Sequence, residues 1–135
     1  MQQVAFRIGD SKFRATFEDE LAPRTCATFR SLLPFTSKLI HVRWSGEACW
    51  IPMGSVDIGV PAESATSYPE PGQILLYPGG ISETEILVGY GAVRFASKAG
   101  QLAGNPLLRI NQRLDELSKL GARILWNGAL DILIG

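Results

Sequence analysis

A short stretch of the chain, residues 39–51, concentrates the side chains best suited to hold a polar molecule. It carries five such residues: His41, Arg43, Trp44, Glu47 and Trp50. An arginine clamps a carboxylate through two parallel hydrogen bonds, and a glutamate accepts from an amine or amide. A histidine exchanges a proton near neutral pH, and an indole offers a large apolar surface with a polar edge. This combination predicts a ligand-binding site.

Tyr77 and Glu85 are two further candidates for the same site. Tyr77 ends a predicted strand that begins at Gln73, and Glu85 lies in the next predicted strand, residues 83–88, after the turn signal Pro78-Gly79-Gly80. Neighbouring antiparallel strands would bring the two side chains together. Both could therefore line the same pocket; the alternative for Tyr77 is ordinary packing at the end of a strand.

His41 is the one candidate with a catalytic interpretation, as a general acid or base facing Trp50. The alternative is a half-buried aromatic pair that stabilises the sheet, and this is favoured because the sequence shows no partner base or nucleophile. Ser82, Ser97 and Lys98 stand at no spacing that activates a nucleophile. No catalytic residue is assigned, and the sequence leaves open whether the protein is an enzyme.

The five residues of the 39–51 stretch need a hairpin to position them, and Ser45-Gly46 fits a two-residue turn. That turn places His41 opposite Trp50 and Val42 opposite Cys49. Cross-strand partners share a face, and faces alternate along a strand. One face would then be core, carrying Ile40, Val42, Cys49 and Ile51, with Trp44 and Glu47 at its tip. The other would be the site face, carrying Leu39, His41, Arg43, Ala48 and Trp50.

Composition limits the class of protein. A chain of 135 residues, 46% of them hydrophobic, predicts one globular domain spanning 1–135. Lysine plus arginine number 13 and aspartate plus glutamate number 13, so we expect neither a nucleic-acid nor a membrane-surface partner. No apolar run approaches the ~20 residues that span a bilayer. The opening residues predict no signal peptide, and a cytoplasmic location is the default expectation from the two free thiols described next.

The two cysteines, Cys26 and Cys49, occupy apolar periodic positions and are predicted to be buried free thiols. A disulfide or a metal pair is the alternative, but two cysteines and one histidine without close spacing make a poor ligand set. We expect no metal ion and no organic cofactor.

The periodicity of the chain predicts about eight short strands, two helices and a closed or nearly closed antiparallel β-barrel. The first helix begins near Pro23 and the second has Asn111 as N-cap, with Leu114, Leu117, Ile124 and Leu125 in the core. Residues 92–105 read as irregular. The loop 52–72 is either a lid with Glu63 and Tyr68 as contributors or a surface connection held by prolines.

The order of elements resembles the cyclophilin fold, and several short segments agree with it. Leu21-Ala22-Pro23-Arg24-Thr25 with Phe29 is similar to the cyclophilin passage from strand to helix, Ile40-His41 to the Phe-His of the catalytic strand, and Pro71-Gly72 to the Pro-Gly that precedes an apolar strand. More closely, residues 4–134 resemble a group of bacterial proteins with a cyclophilin-like fold and no assigned reaction. That resemblance rests on His41-x-Arg43-Trp44-x-Gly46-Glu47 and Tyr77-Pro78-Gly79-Gly80.

The departures from true cyclophilins bear on function. Cyclophilins have an arginine directly after the strand histidine, where this chain has Val42, and Arg43 one residue later points to the opposite face of a regular strand. The sequence therefore predicts first a small-molecule binding protein or weak enzyme with a pocket on the barrel flank. Two alternatives stay open. One is a peptidyl-prolyl isomerase. The other is a non-catalytic interaction subunit whose exposed tryptophan and long loop bury against a partner or against a second copy, as a homo-oligomer.

Overall fold

The computed structural model describes residues 2–135 and contains a closed antiparallel barrel of eight strands with two helices, as predicted. Around the barrel the strands run in the order β1, β10, β3, β4, β6, β5, β9, β2, and β7 pairs with β8 outside it. The strands are β1 (Gln3–Ile8), β2 (Ser11–Phe17), β3 (Phe35–His41), β4 (Gly46–Pro52), β5 (Gln73–Tyr77), β6 (Glu85–Val93), β7 (Ala96–Ser97), β8 (Gly100–Gln101), β9 (Asn105–Arg109) and β10 (Leu130–Ile134). The helices are α1 (Pro23–Arg30) and α2 (Leu114–Asn127).

The barrel interior is filled by the apolar alternate residues of its strands. Phe6 lies opposite Phe13 on β2 and opposite Ile134 on β10, and all three side chains are buried. The remaining space at the α2 end of the barrel measures only about 10 Å³. Side chains are known to fill eight-stranded barrels in this way, so any ligand site here must lie outside the barrel.

A second, smaller core covers part of the outer face of β4, β5 and β6. Phe95 and Leu102, from the chain around β7 and β8, pack against Ala48, Leu75 and Leu87. The prediction that residues 92–105 are irregular is wrong in part, because β6 continues to Val93 and the chain then forms a small hairpin. Strands of two residues are too short for a pattern of alternation to reveal them.

Both helices were placed correctly, but the details of α2 differ from the prediction. Its N-cap residue is Arg113, with φ of 58°, and not Asn111. Leu117, Leu120, Gly121 and Ile124 are its buried residues, whereas Leu114 and Leu125 are exposed, so their assignment to the core is wrong. Successive helical residues are rotated by about 100°, and Leu125 therefore turns away from the face that Ile124 buries.

Cys26 and Cys49 are free and buried, as predicted. Burial raises the pKa of the Cys26 thiol to about 11 and that of Cys49 to about 12, so both are neutral at physiological pH. Neither helix of residues 2–135 is long and apolar enough to cross a membrane.

The 52–72 loop is fixed to the barrel at several points. Glu63 accepts hydrogen bonds from the backbone N–H groups of Arg24 and Thr25 in the first turn of α1, at 3.1 and 2.7 Å. The backbone of Thr66 bridges Gly104. Neither Glu63 nor Tyr68 lines the flank cavity described below. These contacts favour the surface connection over the lid.

Candidate functional site

The turn between β3 and β4 is longer than predicted, and the register of the two strands differs. Ile40 pairs with Trp50 and His41 with Cys49, so that residues 42–45 form the connection. The predicted pairing of His41 with Trp50 is therefore wrong.

The physical reason for the longer turn is a contact from a distant part of the chain. The Ser45 hydroxyl donates to the carbonyl of Ala96 and accepts from its N–H, both at 3.0 Å, and the Ser45 carbonyl accepts from the N–H of Arg94 at 3.1 Å. Ser45 is buried by this contact. It therefore cannot sit at the tip of a tight turn.

The corrected register redistributes the side chains between the two faces. Cys49 and Ile51 face the interior, as predicted, but Leu39 joins them there. Ile40 pairs with Trp50 and lines the outer flank with it. His41 and Trp50 lie on opposite faces, so they form neither a stacked pair nor a shared catalytic group.

His41 instead bonds to Tyr90 at the end of the barrel. Its Nδ1 lies 2.8 Å from the carbonyl oxygen of Val42 and its Nε2 lies 2.8 Å from the Tyr90 hydroxyl. Because a carbonyl only accepts, Nδ1 carries the proton, and in the neutral ring the Tyr90 hydroxyl then donates to Nε2. Burial raises the pKa of Tyr90, with Cys49 and Glu47 adding to the effect, so the phenol stays protonated. This arrangement supports the structural interpretation of His41.

A cavity of about 410 Å³ lies on the outer flank of the barrel, between the 40–45 segment, Trp50, the start of β6 and residues 96–99. Five predicted site residues line it: His41, Arg43, Trp44, Trp50 and Glu85. Its size falls within the usual range for small-molecule sites. The side chain of His41 is already engaged by Tyr90, so the chemistry of the cavity rests on the other four.

Glu85 is the buried acid of this cavity. It pairs with Pro52 on β4 and with Tyr77 on β5, on the outer face of the sheet, and only 5% of its surface is exposed. Its carboxyl group makes no hydrogen bond within residues 2–135. Burial, with a contribution from Glu83, raises its pKa to about 7. It therefore changes its protonation state near physiological pH.

The mouth of the cavity carries positive charge and apolar surface. The Arg43 guanidinium lies 5.2 Å from the centre of the Trp44 ring, which is 52% exposed. Lys98 and Ile81 are exposed beside them. Neither Arg43 nor Lys98 forms a salt bridge within residues 2–135. The mouth is therefore suited to an anionic group, as the arginine suggested.

Glu47 and Tyr77 have other roles. The Glu47 carboxylate accepts from the N–H of Ala92 at 2.8 Å, away from the cavity. The Tyr77 ring packs edge-on against Phe95, and its hydroxyl accepts from the N–H of Ile81 at 2.9 Å. Tyr77 therefore fixes the turn that presents Ile81 to the cavity, without lining the cavity itself.

Sequence reasoning missed several residues of the cavity wall. They are Ile40, Val42, Ser45, Ile81, Ser82 and the 96–99 segment. Ile40 and Val42 were assigned to the core because of the wrong register. Of these residues, only Ile81 could have been identified from the sequence, because it is an isolated apolar residue directly after the turn glycines.

The protein is thus a closed eight-stranded antiparallel β-barrel with a packed interior and a cavity on its outer flank. The chain belongs to the family described as Protein of unknown function (DUF3830), whose model matches residues 4–134. No curated protein matches it.

Two solved structures share the fold. One is McbB in complex with tryptophan, at a TM-score of 0.72 and 16% identity, in a comparison that covers 98% of this chain and 44% of McbB. The other is the hypothetical protein AF2241 from Archaeoglobus fulgidus, at a TM-score of 0.63 and 15% identity, covering 98% of this chain and 92% of that one. This chain thus spans less than half the length of McbB.

Proposed function

We propose that this protein binds a small molecule with an aromatic or apolar body in the flank cavity. The observation that carries the proposal is Glu85, a buried carboxyl without a hydrogen-bond partner in residues 2–135 that lines a cavity of about 410 Å³. Its oxygens are not sealed from solvent, so they open onto the cavity, where a ligand can reach them. A carboxyl group in a cleft whose pKa is raised by burial is a typical candidate for a functional group.

The walls of the cavity support an apolar body for the ligand. Trp50 is half-buried against the smaller core, and Trp44 and Ile81 stand exposed at the mouth. A ligand that covered these side chains would remove their apolar surface from water, at about 25 cal/mol per Å². The solved complex of McbB with tryptophan adds that a protein containing this fold binds a small aromatic molecule.

A panel of small aromatic amines, acids and amino acids tests this function by thermal shift and isothermal titration calorimetry. We expect at least one compound to raise the melting temperature of the wild type. Trp50→Ala abolishes that increase, because it removes a cavity wall. Trp126→Ala, which removes an indole on the exposed side of α2, retains it. Equal increases in the two variants, or none in the wild type, would refute the proposed function.

A second candidate is an interaction subunit, favoured by one feature of α2. Trp126 is 83% exposed beside Leu125, and exposed aromatic side chains are frequent anchors of interfaces. Light scattering after size-exclusion chromatography tests it. A mass above that of a monomer, lost in Trp126→Ala and kept in Trp50→Ala, supports this candidate, and a monomeric wild type rejects self-association.

We also propose, from the resemblance of the sequence, that the fold is cyclophilin-like and that the protein is bacterial and cytoplasmic. Prolyl isomerase activity is a third candidate function. The eight-stranded closed barrel with two helices supports the cyclophilin-like fold. A proline-peptide isomerisation assay tests the activity. Acceleration that is lost in both Arg43→Ala and Trp50→Ala would place it ahead of simple binding.

A further inference from the structure

We propose that the flank cavity is built for an aromatic zwitterion, whose ammonium group pairs with Glu85 while its carboxylate is held at the mouth by Arg43 and Lys98. This inference rests on the proposed binding function and names the chemical class of its ligand. It follows from the order in which charged and apolar groups occur between the floor and the mouth of the cavity.

The floor of the cavity carries the nearly buried carboxyl group of Glu85. Within residues 2–135, no side-chain nitrogen or oxygen is both sealed from solvent and without a hydrogen-bond partner. The oxygens of Glu85 make no hydrogen bond, so they must open onto the cavity that Glu85 lines. A carboxyl group in an apolar site gains most from a cationic partner, because that partner favours its charged form. The indole of Trp50 in the same cavity adds a face that attracts cations.

The mouth of the cavity carries two cationic side chains. Arg43 and Lys98 are both exposed and lie on two separate segments, and neither has a carboxylate partner within residues 2–135. The Arg43 side chain already stacks near the Trp44 ring, which limits its freedom and leaves its N–H groups for a ligand. A guanidinium and an ammonium together recognise a carboxylate well.

A ligand with a single charge fits the cavity less well than a zwitterion does. An amine without a carboxylate would pair with Glu85, but its positive charge would be repelled by the two positive side chains at the mouth, Arg43 and Lys98. An acid without an amine would satisfy the mouth and leave the Glu85 carboxyl unpaired. Apolar side chains, among them Ile40, Trp50 and Ala99, also line the cavity and accommodate an aromatic group. Only a ligand with both charges and an aromatic body satisfies all three regions.

The protonation of Glu85 gives a further signature. The charged or titratable groups around it are Glu83 before it and Tyr77 on β5, together with three residues on the other segments that line the cavity: His41, whose ring is bonded to Tyr90, Arg43 and Lys98. The pKa of Glu85 is raised to about 7, and an ammonium ligand binds its ionised form. Below pH 7, binding of the ligand therefore requires Glu85 to release a proton. Affinity for the ligand should therefore rise between pH 5.5 and 8.

Calorimetry with three indole compounds tests the inference: tryptophan, tryptamine and indole-3-propionate. In the wild type we expect tryptophan to bind at least about tenfold more tightly than either of the others. Glu85→Gln should weaken tryptophan and tryptamine by about tenfold or more and leave indole-3-propionate unchanged or tighter. Arg43→Gln should weaken tryptophan and indole-3-propionate but not tryptamine. Glu20→Gln and Arg123→Gln, on exposed residues away from the cavity, control for charge alone.

The outcomes separate the two proposals. If indole-3-propionate binds as tightly as tryptophan, or if Glu85→Gln leaves tryptophan binding unchanged, the zwitterion is overturned and the binding function stands. If none of the three compounds binds and no other compound of the aromatic panel does, both fall. Circular dichroism and urea unfolding at pH 8 verify that Glu85→Gln is folded, and its stability there should be no lower than that of the wild type.

Discussion

At the scale of single residues, Glu85 is the most unusual group of this protein. Its presence on the β6 strand and its proximity to Tyr77 could be predicted from the sequence, because both follow from two apolar runs and a Pro-Gly-Gly turn. Its lack of a partner could not be predicted, since that depends on what the other segments around the cavity leave unfilled. The same limit applies to His41, whose partner Tyr90 lies 49 residues away in the sequence.

Glu85 should make the stability of the protein depend on pH. Its pKa of about 7 exceeds the ordinary 4.5, so the folded state binds more protons than the unfolded state between these values. The contribution of Glu85 to the free energy of unfolding is then largest below about pH 4.5. It falls as the pH rises through 7, by on the order of 3 kcal/mol. In Glu85→Gln we expect this decrease to disappear and stability at pH 8 to exceed that of the wild type.

Urea unfolding at pH 5 and pH 8 measures this difference. Glu20→Gln removes an exposed carboxylate and should keep the wild-type decrease between the two pH values. The assignment of the raised pKa to Glu85 is contradicted if Glu85→Gln loses as much stability between pH 5 and pH 8 as the wild type does.

At the scale of elements, the positions of the helices and most strands could be predicted, but the register of the β3–β4 hairpin could not. Hairpin register follows from local turn chemistry only when no distant segment engages the turn. Here the Ser45 side chain and backbone bind Arg94 and Ala96, about fifty residues further along the chain. One residue of register error then reversed the faces of Leu39 and Ile40 and assigned two residues of the cavity wall to the core.

Helix α1 depends on a carboxylate supplied by the long loop. Burial alone would raise the pKa of Glu63, but hydrogen bonds from Thr25 and from the backbone of Arg24 outweigh it, and the pKa lies below its ordinary value. This contribution is present above about pH 4.5 and is lost as pH falls through the lowered pKa. Glu63→Ala should cost about 1–2 kcal/mol at pH 7, as other N-terminal caps do.

Chemical denaturation at pH 7 and pH 3 measures this cost. The difference between Glu63→Ala and the wild type should shrink at pH 3, and Glu20→Ala should show little difference at either pH. A loss of stability in Glu63→Ala below about 0.3 kcal/mol at pH 7 would contradict the capping role.

Helix α2 depends on a glycine at its contact with β6. A Cβ on Gly121 would collide with the ring of Tyr90, whose hydroxyl bonds to His41. Gly121→Ala should therefore destabilise the protein by about 1–3 kcal/mol, although the intrinsic helix propensity of alanine exceeds that of glycine by about 1 kcal/mol. Ala122→Gly, on the exposed side, should cost only that propensity. A melting temperature of Gly121→Ala above that of the wild type would show that α2 does not pack as described.

At the scale of the whole molecule, the barrel acts as a filled scaffold and its outer flank provides the site. The interior is closed by apolar side chains from all around the barrel, and the strands that line the cavity are fixed by the inner and the smaller outer core. Rigid strands hold Trp50 and Glu85, while connecting segments supply Arg43, Ile81 and Lys98. Sites of this kind keep a fixed floor and vary at the mouth.

The carboxyl carbon of Glu85, followed by NMR in isotopically labelled protein through a pH titration, tests the central claim most directly. Glu85→Gln identifies its resonance by removing it. We predict a midpoint near pH 7 in the free protein and a lower midpoint once tryptophan is added, because an ammonium partner favours the ionised form. A midpoint near pH 4.5 in the free protein would contradict the raised pKa of Glu85. A midpoint that tryptophan leaves unchanged would contradict the pairing of Glu85 with a cationic ligand.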